Sequence, residues 1–285
     1  MKKLESNRSG QIVKQLNGYD AFIPEKLYPT GPTIETDMEC VRLLSESERA
    51  LGELKGITEL LPDPDLFVAF YVQKEALLSS QIEGTQCSLD EVIQIDENTR
   101  TAKPVDEVVN YIKAMNDGLE LLKNLQMSLR LIHQIHAKLL EQVRGSDKTP
   151  GEYKRSQNWI GPSGSTLQDA AYVPPPPEMM LELMGDFEKF YYSQDTLPIL
   201  IKTAVLHYQF ETIHPYLDGN CRLGRLLITF GLCEQKVLQR PLLYLSLFFK
   251  EHRTEYYQLL MDVRFRGAWE EWIKFFLRGI RSTSE

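Results

Sequence analysis

The chain has 285 residues, 42% of them hydrophobic and 25% charged, a balance that suits a soluble globular protein of one large domain or two modest ones. Its 32 Lys+Arg against 40 Asp+Glu give a formal net charge of −8, a poor balance for neutralising nucleic-acid phosphates. No run of about 18 apolar residues is present to cross a membrane, and the opening MKKLESNRSG has no apolar stretch behind its lysines to act as a secretion signal.

In chain order, residues 1–35 read as an irregular arm punctuated by Pro24, Pro29 and Pro32. A helix is predicted over 36–56. Pro62 and Pro64 open a second, DLFVAFYVQKEALLSSQIE, whose apolar residues recur at helical spacing and which Gly84 ends as a C-cap. Ser88-Leu89-Asp90-Glu91 has capping-box spacing and starts a short helix. Helices over 105–124 and 128–143 follow, the second with Ser128 as N-cap. The stretch 145–178 is rich in Gly, Ser and Pro and too long for a plain connection, which marks it as functional. Within it Ala171-Tyr172-Val173 reads as a short extended piece, and Pro174 to Pro177 as a stiff lead-in to the next helix. Helical patterns resume at 178–192, 196–212, 221–236, 241–249, 252–264 and 268–281. No sustained strand alternation appears, so the fold class is all-α (mainly α) with at most one hairpin. A weak boundary near residue 100 would divide an N-terminal helical region, 1–100, from a core, 101–285.

Cys40, Cys87, Cys221 and Cys233 form no CxxC pair, and free thiols in a reducing, cytoplasmic setting are the simple reading. His133 and His136 share a helix face but have no further ligands for zinc in sequence. His207 reads as a packed or capping histidine. Phe248, Phe249, Tyr256, Tyr257, Trp269, Trp272, Phe275 and Phe276 are most simply core, with a homodimer surface as the alternative for some of them.

The most informative segment is His214-Pro215-Tyr216-Leu217-Asp218-Gly219-Asn220-Cys221-Arg222-Leu223-Gly224-Arg225, between two apolar helices. Gly219 and Asn220 can take positive φ and turn the chain. The next helix then offers free N–H groups, a ready anion site. Asp218 is a hard oxygen ligand suited to Mg²⁺. Arg222 and Arg225 can hold phosphate oxygens, and His214 can accept a proton near neutral pH. A base, a metal ligand, an anion cradle and counter-charges together make a kit for phosphoryl or nucleotidyl transfer.

This segment resembles the Fic signature HPFx(D/E)GNGRxxR, with Tyr216 for the usual Phe and Cys221 for the usual second Gly. The flanks HYQFETIHP and RLGRLLITFGL are also similar to that family, and the resemblance covers about residues 65–280. It implies a Fic helical core with a short β-hairpin flap, and a protein adenylyltransferase using ATP and Mg²⁺. By the resemblance His214 is the base and Asp218 the metal ligand. Gly219, Asn220 and the Cys221 backbone cradle the phosphates, Arg222 supports developing charge, and Arg225 reaches the γ-phosphate; His214, Asn220 and Arg222 are the catalytic set. Ser79-Ser80-Gln81-Ile82-Glu83-Gly84 is similar to the family's inhibitory pattern (S/T)xxxE(G/N). Ser79 and Glu83 share a helix face, and Gly84 leaves Glu83 at the helix end, where its carboxylate would pair with Arg225 in place of the γ-phosphate.

Thr166–Pro174 resembles the Fic flap, in which Leu167, Ala171, Tyr172 and Val173 would hold a target segment by strand addition. The partners implied are ATP and a protein substrate, with self-modification and a homodimer open, and neither nucleic acid nor membrane. Cys221 is expected in the first helical turn, where a Cβ is tolerated, with a thiol of lowered pKa. Two alternatives stay open: a relative that uses another donor or removes AMP, and a silent ATP-binding interaction protein disabled by Cys221. A DNA-binding regulator would need a basic winged-helix module, which the sequence does not offer.

Overall fold

The structure, a computed structural model, describes residues 4–60, 62–93, 104–162 and 164–285. In chain order the elements are β1 (Gly10–Lys14), β2 (Asp20–Pro24), α1 (Met38–Leu60), α2 (Pro64–Ile82), α3 (Leu89–Ile93), α4 (Pro104–Leu125), α5 (Leu129–Leu139), α6 (Met180–Tyr191), α7 (Ile199–Ile213), α8 (Asn220–Glu234), α9 (Ser246–Glu251), α10 (Arg253–Arg266) and α11 (Trp269–Ser284). The chain is thus mainly α. Among the described residues no helix is long and apolar enough to cross a membrane.

The helix starts follow local chemistry. Asp63 Oδ1 accepts from Leu66 N–H at 3.1 Å, with Pro64 in the first helical position. Ser88 and Glu91 bond reciprocally: Ser88 N–H donates to Glu91 Oε2 at 2.7 Å, and Glu91 N–H donates to Ser88 Oγ at 3.3 Å. Ser128 Oγ accepts from Leu131 N–H at 3.3 Å. Gly84, at φ 90°, follows the last turn of α2 in the left-handed region that glycine enters freely.

α7 is the centre of the core. Every residue from Leu200 to Ile213 is buried, and α6, α8, α11 and β2 pack around it. A helix buried all round must find partners for its polar side chains too. Lys202 Nζ lies 2.6 Å from Asp195 Oδ2, and Gln209 Nε2 donates to the Glu25 carbonyl at 3.0 Å. One continuous hydrophobic cluster runs from Leu27 to Ile280. The expected boundary near residue 100 lies outside the described residues.

Three expectations are corrected. The arm 1–35 is not wholly irregular: β1 and β2 pair antiparallel, Gly10 opposite Pro24 and Lys14 opposite Asp20. Five-residue strands carry too little alternation to be read locally. Tertiary contact fixes them, because Phe22 is buried and its N–H donates to the Val173 carbonyl at 2.9 Å. The helix foreseen over 128–143 stops at Leu139, and the chain then turns through Gln142 (φ 58°) and Gly145 (φ 88°). The helix foreseen over 241–249 starts only at Ser246, because the buried Leu242 and Leu243 sit in non-helical chain. Periodicity cannot separate such short apolar runs from helix.

The aromatic tail is core. Phe248, Phe249, Tyr256, Trp269, Trp272, Phe275 and Phe276 are all buried, which leaves them unavailable as a dimer surface. Trp272 Nε1–H donates to the Ala204 carbonyl at 2.9 Å, joining α11 to α7. Trp272→Ala should therefore cost about 3–5 kcal/mol of stability. Chemical denaturation against wild type measures this; a loss below about 1 kcal/mol would contradict the packing described.

Candidate active site

α7 ends at His214, which takes the left-handed conformation (φ 49°, ψ 60°) and donates its N–H to the Phe210 carbonyl at 2.9 Å. A non-glycine residue held there is strained, and such residues cluster at functional sites. Gly219, at φ 76°, makes the second left-handed turn and is the N-cap of α8, with no side-chain cap on the helix. The first-turn N–H groups of α8 therefore have no intrahelical acceptor and face the loop. Cys221 lies inside that first turn at ordinary helical φ, so its Cβ is tolerated as expected.

The loop is clamped from several directions. Asn220 Oδ1 accepts from Tyr216 N–H at 2.9 Å, and its Nδ2 donates to the Tyr216 carbonyl at 2.8 Å. The Asn220 amide is thus used in closing the loop. The Tyr216 ring is stacked on His136, centroids 3.7 Å apart. Gly151 N–H donates to His136 Nδ1 at 2.8 Å, so Nδ1 is the acceptor and Nε2 must carry the proton. That Nε2–H donates to the Asp218 carbonyl at 2.9 Å. From the other side, Lys154 Nζ donates to the His214 carbonyl at 3.1 Å and to Asn158 Oδ1 at 2.8 Å. Asn158 Nδ2 in turn donates to the Tyr216 carbonyl at 2.7 Å.

His214, Leu217, Asp218, Gly219, Asn220, Cys221 and Arg222 line a cleft of about 120 Å³, walled by Glu83 and Arg144. Burial first, then the positive Lys154 and Arg264, push the His214 ring down to about 3, so it is neutral at pH 7. Asp218 Oδ1 accepts from Gly219 N–H at 2.6 Å. Arg222, 1% exposed, pairs with Glu107 Oε2 at 3.3 Å, and its other terminal nitrogen has no hydrogen-bond partner. Arg225, also buried, donates from Nε to Ser79 Oγ at 2.8 Å. Its NH2 donates to the Ser79 carbonyl at 3.0 Å and to Glu83 Oε1 at 3.1 Å. Tyr257 donates its hydroxyl to the same Glu83 oxygen at 3.3 Å. Arg225 NH1 is buried without a partner. Each buried guanidinium thus keeps a terminal nitrogen without a hydrogen-bond partner, that of Arg222 standing 3.8 Å from Asp218 Oδ1, and buried N–H donors of this kind suit anionic oxygens.

The sequence-predicted residues therefore converge, except in the flap. Ile160 and Tyr172 form one isolated antiparallel bridge, N–H to carbonyl at 2.8 and 3.0 Å. The Tyr172 and Val173 side chains are buried; the Tyr172 hydroxyl donates to the Thr212 carbonyl at 2.6 Å. Ala171 is exposed and Leu167 half-buried. The Cys221 thiol departs from expectation. Burial, then the carboxylates of Glu211 and Glu83, hold its pKa well above the usual thiol value rather than below it. Sequence reasoning missed the clamps Glu107, Arg144, Lys154, Asn158 and Tyr257. It also gave His136 no role in the loop.

Residues 41–120 match the Fic/DOC family N-terminal region and residues 126–232 match the Fic/DOC family. A probable protein adenylyltransferase of Aquifex aeolicus is 26% identical over 189 residues, 64% of this chain and 53% of that protein. The protein adenylyltransferase Fic of Aedes aegypti is 31% identical over 205 residues, 66% of this chain and 37% of that protein. The chain thus spans between about a third and a half of the length of these relatives. The crystal structure of a Fic family protein from Desulfovibrio desulfuricans shares the fold, with a TM-score of 0.75, 21% identity, and coverage of 89% of this chain and 75% of that one.

Burial pushes His136 down to about 4, against a value near 6.5 in the unfolded chain. Between those values the unfolded chain binds more protons, so stability falls as pH drops through that window. Ring ¹⁵N shifts should show His136 neutral, with the proton on Nε2, from pH 8 to about pH 5. A titration midpoint near 6.5 would contradict the clamp.

Proposed function

The chain belongs to the Fic/DOC family, and on that footing we propose that it transfers AMP from ATP to a protein hydroxyl, releasing pyrophosphate. The observation that carries this reading is the one cleft that gathers His214, Asp218, the first turn of α8 and Arg222 behind the Glu83 wall. His214, neutral at pH 7, takes the proton of the attacking hydroxyl. The hydroxyl oxygen bonds to the α-phosphorus as the bond from that phosphorus to the bridging oxygen breaks. The electron pair leaves with pyrophosphate. The N–H groups of α8 and the unused donor of Arg222 meet the negative charge on the phosphates. Asn220 holds the loop shape that aims His214.

Asp218 is the residue that would hold Mg²⁺, one carboxylate with phosphate oxygens completing the set. Bound there, the ion would supply charge neutralisation to the phosphates. Leu167 and Ala171 are the flap residues reachable by a target segment. The four free cysteines fit a cytoplasmic setting.

The same geometry supports a built-in brake. Glu83 occupies Arg225 and borders the cleft, so a γ-phosphate would have to displace its carboxylate. A donor seated without that contact has a misplaced α-phosphate, and a shift of about 1 Å costs on the order of a hundredfold in rate. Glu83→Gly should therefore raise label transfer from ATP carrying the label on the α-phosphate by up to about a hundredfold, to the protein itself or to lysate proteins. Adding His214→Ala should abolish the gain, and ATP labelled on the γ-phosphate should transfer nothing. No α-label in any variant, with ATP binding intact, would sink the transferase reading. Equal labelling of wild type and Glu83→Gly would sink the brake.

A further inference from the structure

The loop departs from the family signature at Cys221, and that departure brings a third ligand type to the site. Cys221 Sγ, a carboxylate oxygen of Glu211 and a ring nitrogen of His214 all lie within 4.8 Å of one another. Glu211 comes from the last turn of α7, His214 from its end and Cys221 from the first turn of α8, so the two helices that flank the loop fix all three. Glu211 is only 3% exposed, and its Oε1 has no hydrogen-bond partner. A buried carboxylate oxygen in that state is costly unless something meets it. Burial pushes the group up to about 7, against the pull of Arg225 and of the Cys221 thiol that faces the carboxylate. Gly224 leaves room for it: a Cβ there would stand 2.5 Å from Glu211 Oε1.

We propose that Glu211, His214 and Cys221 form a binding site for Zn²⁺ or a similar borderline cation, with the fourth position open to the cleft that His214 and Cys221 line. Carboxylate, imidazole and thiolate are the donor types such a cation takes, and three protein ligands with one open position are its open-site pattern. Bonds of about 2.0–2.3 Å place tetrahedral ligand atoms roughly 3.3–3.8 Å apart. The pairwise separations, none above 4.8 Å, therefore shorten by no more than about 1–1.5 Å on binding.

On binding, the Cys221 thiol releases its proton to solvent. The thiolate and the Glu211 carboxylate together cancel the charge of the ion, so no net charge is buried beside Arg225. The positive ion opposes the burial and the Glu211 and Glu83 charges that hold the thiol pKa high in the metal-free protein. Mg²⁺ prefers an all-oxygen set and leaves the thiolate alone, so Asp218 and this triad select different ions. Zn²⁺ on His214 engages a ring-nitrogen lone pair, which would suppress transfer. That consequence rests on the proposed transfer; binding itself does not.

The test titrates the metal-depleted full chain with Co²⁺, following the thiolate-to-cobalt charge-transfer absorption in the near ultraviolet. Wild type should saturate at one equivalent, and one equivalent of Zn²⁺ should then erase the band. Cys221→Gly and Cys221→Ser should both lose the band, and Glu211→Gln should weaken binding by about tenfold or more. A wild type without a band, or a band that survives both Cys221 variants, overturns the proposal. The readout is independent of label transfer, so a failure of the transferase reading leaves it intact.

Discussion

The buried guanidinium of Arg225 is the constraint on which the rest of the site depends. A charge taken out of water must be met by paired and hydrogen-bonding groups, and here α2 supplies them: the Ser79 hydroxyl, the Ser79 carbonyl and the Glu83 carboxylate. That forces α2 against the first turns of α8. α2 can present polar groups inward because Glu75, Ser79 and Glu83 fall at four-residue spacing on one face. Glu75 is anchored in turn by the Ser246 N–H at 3.1 Å, the Ser246 hydroxyl and the Tyr111 hydroxyl. One stripe of three polar residues therefore ties α2 to α8, α9 and α4. Its members differ in kind. Ser79 is fully buried and binds Arg225 through both its hydroxyl and its carbonyl, while Glu83 keeps solvent contact at the edge of the cleft. If Glu83 leaves, Ser79 still gives the guanidinium two hydrogen bonds but no counter-charge, so the vacated group favours another anion in its place.

Apart from Lys154 on the His214 carbonyl, the loop is held by neutral groups. His136 is a donor to one backbone carbonyl and an acceptor from one backbone N–H, a combination that only a neutral imidazole provides. Its burial keeps it in that form. Tyr216 adds a stacked ring, and Asn220 joins both backbone polar groups of Tyr216. These contacts fix the two left-handed turns at His214 and Gly219. Without them the strain at His214 would relax by moving its side chain.

The sequence made the helices, their caps and the reactive loop legible, because each is written in contiguous residues. Twelve consecutive positions contain His214, Asp218, the first turn of α8 and both arginines, so no long-range contact is needed to single them out. Ser79 and Glu83 were legible for the same reason, through helical spacing and the terminal glycine. The clamps were not. His136, Lys154, Asn158, Glu107 and Tyr257 lie far from the loop in the chain, and their roles depend on packing that local patterns do not encode. Glu75 shares a helix face with Ser79 and Glu83, yet a lone glutamate in an apolar run reads as a surface residue until its partners are placed. The flap was half legible: Ala171-Tyr172-Val173 reads as extended, but nothing local says that Tyr172 and Val173 turn to the core while Ala171 faces solvent. The β1–β2 hairpin escaped because its strands are short and its burial comes from Val173 and Phe265, distant in the chain.

The electrostatics of His214 tie base strength to occupancy in the proposed reaction. In the free protein burial opposes the imidazolium, and Lys154 and Arg264 oppose it further. The result is a ring that is neutral but a weak acceptor, since a pKa of about 3 lies well below the pH at which the proton must be taken. Arg144 and Arg222, which line the cleft, would attract a triphosphate. Once seated, its negative charge acts on the ring in the opposite sense and favours the protonated form. The base would thus strengthen when the donor is present and weaken when it leaves. A cleft whose arginines would recruit the phosphates, while Lys154 and Arg264 suppress the empty-site base, discourages proton uptake without a donor. In the proposed brake Glu83 places its carboxylate on Arg225 at the edge of the cleft, while the charges that depress the His214 ring remain those of Lys154 and Arg264.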